Sequence, residues 1–197
     1  MIFNCETHGE HKISPWLASQ DQIENKCPIC NGLIAGGVPK RYLSASVSQF
    51  DQPVQDKVTK YLTGGAGNLL IIGPVGTGKT HLAAAVAAEW LKDCPSCTYS
   101  TVRHISERIM EDKSAGYFIS KPFLIVDEIG RAYATQAEGL RFFDLVNGRY
   151  NAMRPTVFLG NLTKDQFKEA VGEAVSDRIR EDVTIITLKG ESRRKAA

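Results

Sequence analysis

A glycine-rich segment at residues 73–80 carries the clearest chemical signal in this sequence. It reads Gly-Pro-Val-Gly-Thr-Gly-Lys-Thr and lies between a short apolar run and an alanine-rich stretch. Glycines allow a backbone turn tight enough to aim several amide N–H groups at phosphate oxygens. We therefore predict a loop that binds ATP, in which Lys79 reaches the β and γ phosphates and Thr80 binds Mg²⁺. The residues assigned to the nucleotide are Gly73, Pro74, Val75, Gly76, Thr77, Gly78, Lys79, Thr80 and His81.

Two adjacent carboxylates, Asp127 and Glu128, follow a second apolar run at residues 123–126. Ligands of parallel sheets bind at the carboxyl ends of the strands, so we expect these acids beside the glycine-rich loop. Asp127 is predicted to bind Mg²⁺ together with Thr80, and Glu128 to act as the general base that polarises the attacking water. Asn161 follows the next strand run. Its amide either orients water or the γ phosphate, or belongs to an ordinary turn.

Four potential metal ligands occur as two closely spaced pairs near the beginning of the chain. They are Cys5 with His8 and Cys27 with Cys30. Zn²⁺ takes four nitrogen or sulfur ligands at tetrahedral corners, and two such pairs supply them. We predict a zinc-binding module at residues 1–37, polar and irregular, whose stability comes largely from the metal. His11 is an alternative ligand to His8, and free thiols in a flexible arm are the alternative to a metal site.

The remaining two of the five cysteines, Cys94 and Cys97, have the same spacing but no partner pair. An odd number of cysteines does not suit a closed disulfide framework. We predict that Cys94 and Cys97 are unliganded loop or strand cysteines.

The elements that would position these residues alternate along the chain. Apolar runs predict strands at residues 69–72, 98–102, 123–126, 156–159 and 183–188. Helices are predicted at residues 80–92, 105–112 and 135 to about 150, with another after Thr163. Buried strands that alternate with helices are typical of an α/β fold with a parallel sheet covered on both faces. We assign this fold to a main domain at residues 38–197.

Composition restricts the function classes further. With 197 residues and 43% apolar side chains, the chain has room for one α/β domain and a small appendage. The formal charge of +2 neither favours nor excludes a nucleic-acid partner, because a near-neutral chain can still carry a basic surface. No apolar stretch is long enough to span a bilayer and no signal peptide is recognisable, so we expect a cytoplasmic protein with no membrane partner.

These motifs, in this order, resemble those of AAA+ ATPases. More narrowly, they resemble the replicative helicase loaders of the DnaC type and their relatives, the IstB-type transposition ATPases. The resemblance covers residues 38–194 and rests on five short stretches. They are Val-Pro-Lys-Arg-Tyr at 38–42, Val-Asp-Glu-Ile-Gly at 126–130, Arg-Pro-Thr at 154–156, Ser-Asp-Arg-Ile-Arg at 176–180 and Gly-Glu-Ser-Arg-Arg at 190–194.

The resemblance implies an AAA+ P-loop core with a five-stranded parallel sheet in the order 5-1-4-3-2. Its helical lid would be reduced or absent, and ATP and Mg²⁺ would be its cofactors. With the metal site predicted from the cysteine and histidine spacing, Zn²⁺ is the third expected cofactor. Arg178 falls where the family has the arginine finger that reaches a neighbouring subunit's ATP; the alternative is an arginine that only decorates a helix face. The family's Ser-Tyr-Arg reads Ser192-Arg193-Arg194 here, which leaves the role of Arg194 open.

As to function, the resemblance implies an ATP-hydrolysing loader, encoded by a phage or mobile element and acting in the bacterial cytoplasm. It would form homo-oligomers on binding ATP or the helicase, and place a replicative DNA helicase on single-stranded DNA. Arg103, Arg108 and Lys113 would follow DNA phosphates, unless their helix is simply a solvated charged surface. The alternatives are an IstB-like regulator of DNA transposition and a zinc-ribbon DNA-binding adaptor with a regulatory ATP site.

Overall fold

The computed structural model describes residues 2–12, 27–65, 67–130 and 135–190. The stretch at residues 191–194, which includes Arg194, lies outside these ranges. Within them, every helix is too short or too polar to traverse a lipid bilayer.

The N-terminal region is more regular than the sequence suggested. Strands β1 (Ile2–Cys5) and β2 (Gly9–Lys12) form an antiparallel hairpin, and helix α1 (Pro28–Ala35) follows. The expectation of an irregular segment is therefore wrong for these residues. Four-residue strands and an eight-residue helix are too short to show a clear hydrophobic period, which is why the pattern did not reveal them.

Helix α2 (Gln52–Thr63) also escaped the sequence interpretation, although its start is well marked. Asp51 is the N-cap, its side chain accepting a hydrogen bond from the Val54 N–H, and Pro53 occupies the first turn. Both are standard signals for a helix N-terminus.

Five parallel strands form the central sheet. They are β3 (Asn68–Ile72), β4 (Thr98–Thr101), β5 (Leu124–Ile129), β6 (Thr156–Gly160) and β7 (Val183–Thr187). Across the sheet the order is β4-β5-β6-β3-β7, which is 5-1-4-3-2 when counted from β3. The predicted α/β fold and strand order are confirmed.

Helices connect these strands. They are α3 (Lys79–Trp90), α4 (Val102–Asp112), α5 (Gly116–Ile119), α6 (Gln136–Asn151), α7 (Lys164–Val171) and α8 (Glu173–Arg180). The strand predicted over residues 98–102 stops one residue early, because the Thr101 hydroxyl accepts a hydrogen bond from the His104 N–H and begins α4. Between β7 and Gly190 the described residues contain no lid helices.

The three inner strands, β3, β5 and β6, carry runs of residues that are buried on both faces. Along β3, Leu69 and Ile71 belong to an apolar cluster with helices α1, α2 and α3. Leu70 and Ile72 point to the other face and belong to a second cluster, with helices α4, α5, α6, α7 and α8. Alternate side chains of a strand point to opposite faces, so the continuous apolar runs reflect burial between two helical layers. Because β3 and β5 run parallel, the glycine-rich loop and the acidic pair both lie at the carboxyl edge of this sheet.

Helix α1 is part of the same core rather than an independent appendage. Cys27, Ile29, Cys30 and Leu33 are buried in the cluster that contains α3. A Cβ atom on Gly32 would lie 3.0 Å from Leu91 Cδ1, so this glycine permits the close contact between α1 and the end of α3.

Arg149 ties the opposite edge of the sheet together. Its guanidinium is buried and donates hydrogen bonds to the carbonyls of Phe118 (2.7 Å), Lys121 (2.8 Å) and Pro155 (2.6 Å). It also donates to the Thr156 hydroxyl at 2.7 Å. Burial lowers the pKa of Arg149 to about 9, which still leaves the group protonated at neutral pH. A buried charge is tolerated here because several acceptors surround it.

Candidate functional site

The glycine-rich loop connects β3 to α3, as predicted. Gly73, Gly76 and Gly78 have φ angles of 146°, 84° and 95°, a region that side chains other than glycine rarely adopt. Gly73 has a second constraint, since a Cβ there would lie 2.2 Å from the Leu188 carbonyl oxygen next to β7. The loop therefore depends on glycine for its turn and also for its close approach to the neighbouring strand end.

Lys79 is buried within this loop. Its ammonium donates to the carbonyls of Gly73 at 2.9 Å and Pro74 at 2.6 Å, and the Thr77 hydroxyl also donates to Pro74 O at 2.9 Å. These bonds hold the loop in shape around a positive charge at the N-terminus of α3. Anions are favoured at such a terminus because its first N–H groups have no partner within the helix.

Asp127 faces the first turn of α3. Its Oδ2 accepts hydrogen bonds from the Thr80 hydroxyl at 3.0 Å and from the Tyr99 hydroxyl at 2.7 Å. Its Oδ1 accepts from the Glu128 N–H at 2.7 Å. The carboxylate is thus oriented by three donors, and both residues assigned to Mg²⁺ lie within hydrogen-bonding distance of each other.

Tyr99 is a member of this site that sequence reasoning missed. It lies on β4, and burial first, then the negative charge of Asp127, raises the pKa of its hydroxyl. The hydroxyl therefore stays protonated and acts as a donor at physiological pH. Its strand position alone does not distinguish it from an ordinary core tyrosine.

Glu128 has an unusual backbone conformation. Its φ is +64°, and the pairing of β5 with β6 shifts register between Val126 and Ile129. Such bulges re-aim side chains near active sites, and a left-handed residue other than glycine costs roughly 1–2 kcal/mol. The bulge allows both Asp127 and Glu128 to border the same cleft, although consecutive residues of a regular strand would point to opposite faces.

A cleft of about 700 Å³ lies over the loop and the acidic pair. Ligand pockets typically have volumes of about 300–1,000 Å³. Of the predicted residues it is lined by Val75, Gly76, Gly78, Lys79, Thr80, His81, Asp127, Glu128 and Asn161. Tyr99 and four residues from the segment before α2 complete the lining, namely Pro39, Arg41, Tyr42 and Gln49.

His81 connects that preceding segment to α3. Its Nε2 lies 2.5 Å from Gln49 Oε1, and its ring packs against Tyr42 and Phe50 with centroid distances of 6.1 and 5.8 Å. The aromatic and polar groups at this end of the cleft are suited to a flat heteroaromatic ring.

Arg178 does not join these residues. It lines a separate small cavity with Asn68, Tyr150 and Thr156, at the edge of the sheet where the strands begin. Its Nε donates to Asn147 Oδ1 at 2.7 Å, and its guanidinium lies 5.0 Å from the centroid of the Phe143 ring. Within one chain Arg178 is therefore away from the nucleotide cleft.

The cysteine–histidine cluster is assembled as predicted from Cys5, His8, Cys27 and Cys30, whose ligand atoms all lie within 4.8 Å of one another. His8 Nδ1 lies 3.6, 3.5 and 3.3 Å from the sulfurs of Cys5, Cys27 and Cys30, and Cys5 Sγ lies 4.0 Å from Cys30 Sγ. Tetrahedral Zn²⁺ sites require about 3.5 Å between nitrogen and sulfur and about 3.8 Å between sulfurs.

One imidazole nitrogen cannot satisfy three thiols by hydrogen bonding, so this geometry fits a common central ion. The other nitrogen, His8 Nε2, is buried without a hydrogen-bond partner among the described residues. His11 takes a different place: its Nε2 lies 3.4 Å from Cys27 Sγ, outside the set of four.

The remaining cysteine pair lies apart from that set of four. Cys97 is buried and donates its S–H to the Gly32 carbonyl, with 3.8 Å between sulfur and oxygen. Burial raises the pKa of Cys97 to about 12, so it stays an unreactive thiol. Cys97 lies in the loop directly before β4, which matches the predicted unliganded loop cysteine.

The basic residues of α4 are already paired with acids on the same helix. Arg103 contacts Glu107 at 2.8 Å and Arg108 contacts Asp112 at 2.7 Å. Exposed pairs of this kind contribute little to stability because water and salt screen them, so phosphates can compete for the arginines. The helix is compatible with both of its sequence-based interpretations.

Residues 45–197 match the family profile described as IstB-like ATP binding protein. The chain is 28% identical to the protein YdaV of Escherichia coli (strain K12) over 165 residues, which are 80% of this chain and 63% of YdaV. It is 29% identical to the replicative helicase loader DnaC of the same strain, over 59% of this chain and 51% of the loader. The putative ATP-binding protein of insertion sequence IS232 from Bacillus thuringiensis is 25% identical, over 64% of this chain and 55% of that protein.

The chain therefore spans about half to two thirds of the length of these relatives. Two of the solved structures with a similar fold are those of DnaC and DnaI. The DnaC helicase loader superposes with a TM-score of 0.67 at 20% identity, covering 77% of this chain and all of that one. DnaI gives a TM-score of 0.67 at 22% identity, covering 79% of this chain and 94% of that one. These likenesses confirm the fold of the five-stranded parallel sheet and its helices.

The positive φ of Glu128 makes a stability prediction that is independent of catalysis. The free energy of unfolding of Glu128→Gly should be about 1 kcal/mol higher than that of Glu128→Ala, because glycine relieves the strain of the left-handed conformation. At Glu169, an exposed position within α7, the order should reverse by about 0.5–1 kcal/mol. Urea denaturation of the four variants measures both differences. Equal stabilities of the two Glu128 variants would contradict the strain.

Proposed function

This chain belongs to the IstB-like ATP-binding proteins, a family of AAA+ ATPases, and we propose that it loads a replicative DNA helicase onto single-stranded DNA. The observation that carries the proposal is the cleft in which Lys79, Asp127 and Glu128 converge. The similarity to a replicative helicase loader, in sequence and in fold, supports the choice of partner. The family assignment supports ATP binding whichever DNA transaction follows.

ATP hydrolysis is assigned to the residues of that cleft. The backbone amides of residues 73–80 and the Lys79 ammonium would bind the phosphates, displacing the Lys79 ammonium from the loop carbonyls. Thr80 and Asp127 would hold Mg²⁺, which neutralises charge on the β and γ phosphates when bound. Glu128 would accept the proton of the attacking water, and the Asn161 amide would orient that water or the γ phosphate.

The base of the nucleotide is assigned to the opposite end of the cleft. Pro39, Tyr42 and His81 offer flat or apolar surfaces there, and the Gln49 amide holds the His81 ring in position. Adenine has a π face for stacking and polar edges for hydrogen bonds, so these groups match its chemistry.

Arg178 is proposed to complete a neighbouring subunit's site. Arg178 lies at the sheet edge opposite its own cleft, so it can contact only an ATP molecule that is bound to another copy of the chain. A guanidinium supplied in trans stabilises negative charge in the transition state and makes hydrolysis depend on assembly. Its hydrogen bond to Asn147 and its contact with Phe143 hold the side chain in a defined position.

The cysteine–histidine cluster is proposed to bind Zn²⁺ through Cys5 Sγ, His8 Nδ1, Cys27 Sγ and Cys30 Sγ. The bound ion would cross-link the β1–β2 hairpin to α1. We propose residues 1–37 as this zinc module and residues 38–197 as the ATPase domain. The module would contact the helicase or DNA.

An IstB-like role in DNA transposition is the second candidate. The family description and the similarity to the IS232 protein favour it. A zinc-containing DNA adaptor that uses ATP only as a switch is the third, and the convergence of Glu128 and Lys79 in one cleft argues for turnover instead.

Catalysis in trans predicts complementation between two inactive variants. Glu128→Gln should bind ATP but lose turnover by more than 100-fold, and Arg178→Ala should lose a similar factor. An equimolar mixture should recover roughly a quarter of wild-type turnover, because one random head-to-tail interface in four joins two intact halves. Phosphate release measures the rates. Arg180→Ala, on the same helix, is the control and should retain activity; no recovery in the mixture would contradict a shared site.

The loader function predicts ATP-dependent delivery of the helicase to closed-circular single-stranded DNA, which has no ends for threading. Displacement of an annealed oligonucleotide should require this protein, ATP and the host's replicative helicase together. A pull-down with that helicase checks the complex directly. Absence of binding with and without ATP would reject the loader, and stimulation of strand transfer by a transposase would favour the IstB-like role instead.

The metal assignment predicts about one Zn²⁺ per chain by native mass spectrometry. Cys27→Ser should bind zinc far more weakly and melt at a lower temperature, because it removes a thiolate ligand from a module that depends on the ion. Cys94→Ser, outside the cluster, should keep both properties of the wild type. Full zinc content in Cys27→Ser would show that the assigned ligand set is wrong.

A further inference from the structure

We propose that Tyr99 is a positioning residue that holds the magnesium-binding carboxylate of Asp127 and couples it to the zinc module. The inference rests on the proposed function, because it assumes that Asp127 serves Mg²⁺. Tyr99 is not assigned as a ligand of either metal ion, but it lies between the magnesium ligands and the zinc ligands.

The first half of the link is the hydroxyl of Tyr99. It donates to Asp127 Oδ2 at 2.7 Å, the same oxygen that accepts from Thr80. A Thr80 hydroxyl can donate its proton to Asp127 and still present a lone pair to a metal ion. Tyr99 supplies the second donor from a different strand and so fixes the orientation of the carboxylate plane.

The second half of the link is the main chain of Tyr99. Strand β4 is at the edge of the sheet, and on its open side the Tyr99 N–H donates to the Gly36 carbonyl at 2.7 Å. Gly36 immediately follows α1, whose N-cap is Cys27 and whose first turn contains Cys30. One short helix therefore separates two of the four zinc ligands from the backbone of Tyr99.

The contact between this helix end and β4 is close. A Cβ on Gly36 would lie 2.7 Å from the Cys97 carbonyl oxygen and 2.8 Å from Cys97 Sγ. A Cβ on Gly37, whose φ is +80°, would lie 3.3 Å from the Tyr99 carbonyl oxygen. Because these contacts are so close, a displacement of α1 must also displace the strand that carries Tyr99.

The energetics favour coupling. An eight-residue helix is too short to be stable by itself, so α1 depends on its packing and on the ligands in its first turn. Zinc removal should loosen α1, weaken the Gly36–Tyr99 hydrogen bond and release the Tyr99 hydroxyl from Asp127. The metal module would then tune the affinity for magnesium–nucleotide without touching it.

The test measures binding rather than turnover. A fluorescent, non-hydrolysable ATP analogue is titrated with Mg²⁺, and the Mg²⁺ concentration at half-maximal binding is compared between variants. Tyr99→Phe, which removes only the hydroxyl, should raise that concentration on the order of tenfold or more, the effect of one hydrogen bond to a charged group. Tyr150→Phe, which removes a hydroxyl that donates to the Glu181 carboxylate outside the cleft, is the matched control and should not change it.

Zinc chelation tests the coupling. It should raise the Mg²⁺ requirement of the wild type by a similar factor but add little in Tyr99→Phe, because the link is already broken. Gly36→Ala, which leaves the zinc ligands intact while crowding Cys97, should behave like chelated protein and serves where chelation unfolds the chain.

Three outcomes would overturn the proposal. An unchanged Mg²⁺ requirement in Tyr99→Phe would remove Tyr99 from its role. The coupling would be wrong if neither chelation nor Gly36→Ala changed the Mg²⁺ requirement. It would also be wrong if chelation raised the Mg²⁺ requirement equally in wild type and Tyr99→Phe. A wild-type protein that binds no nucleotide at any Mg²⁺ concentration would instead contradict the proposed function itself.

Discussion

The hydrogen bond between Thr80 and Asp127 is the interaction on which the nucleotide site depends. It joins the first turn of α3 to Asp127 in the second half of β5. Strand β3, which leads into α3, is separated from β5 in the sheet by β6. The bond can form only if three neighbouring strands end at the same level and the glycine loop turns sharply after β3. Burial of the strands between two helical layers sets that level, so the chemistry of the cleft rests on the packing of the sheet.

The acidic pair shows where function and regular structure conflict. A regular strand would send Asp127 and Glu128 to opposite faces, and the bulge with its left-handed residue brings both to one cleft. Strain of this kind persists at functional sites because the surrounding fold is stable enough to impose it. Gly130 follows with a φ of +83° and no space for a side chain beside Leu162, which lets the chain leave the bulge without a clash.

The parts of the structure that could be predicted from sequence are those encoded by local patterns. Glycine spacing, apolar runs and capping residues located the nucleotide loop, the five strands and most of their helices. Tyr99, Arg149 and the four residues before α2 that line the cleft escaped prediction because their roles arise from contacts with distant segments. Tyr99 meets Asp127 and Arg149 meets the carbonyls around α5 only after the sheet is assembled, and no periodicity records such pairs.

The placement of α1 along β4 also has a consequence for colloidal behaviour. The outer strand of a sheet exposes N–H and C=O groups that invite pairing with other chains. In this chain the Gly36 carbonyl, directly after α1, accepts a hydrogen bond from the Tyr99 N–H and so covers part of the edge of β4. If the cysteine–histidine cluster holds zinc as proposed, loss of the ion would uncover this sheet edge beside apolar surface, and zinc supply would govern whether the molecules stay dispersed or self-associate into aggregates.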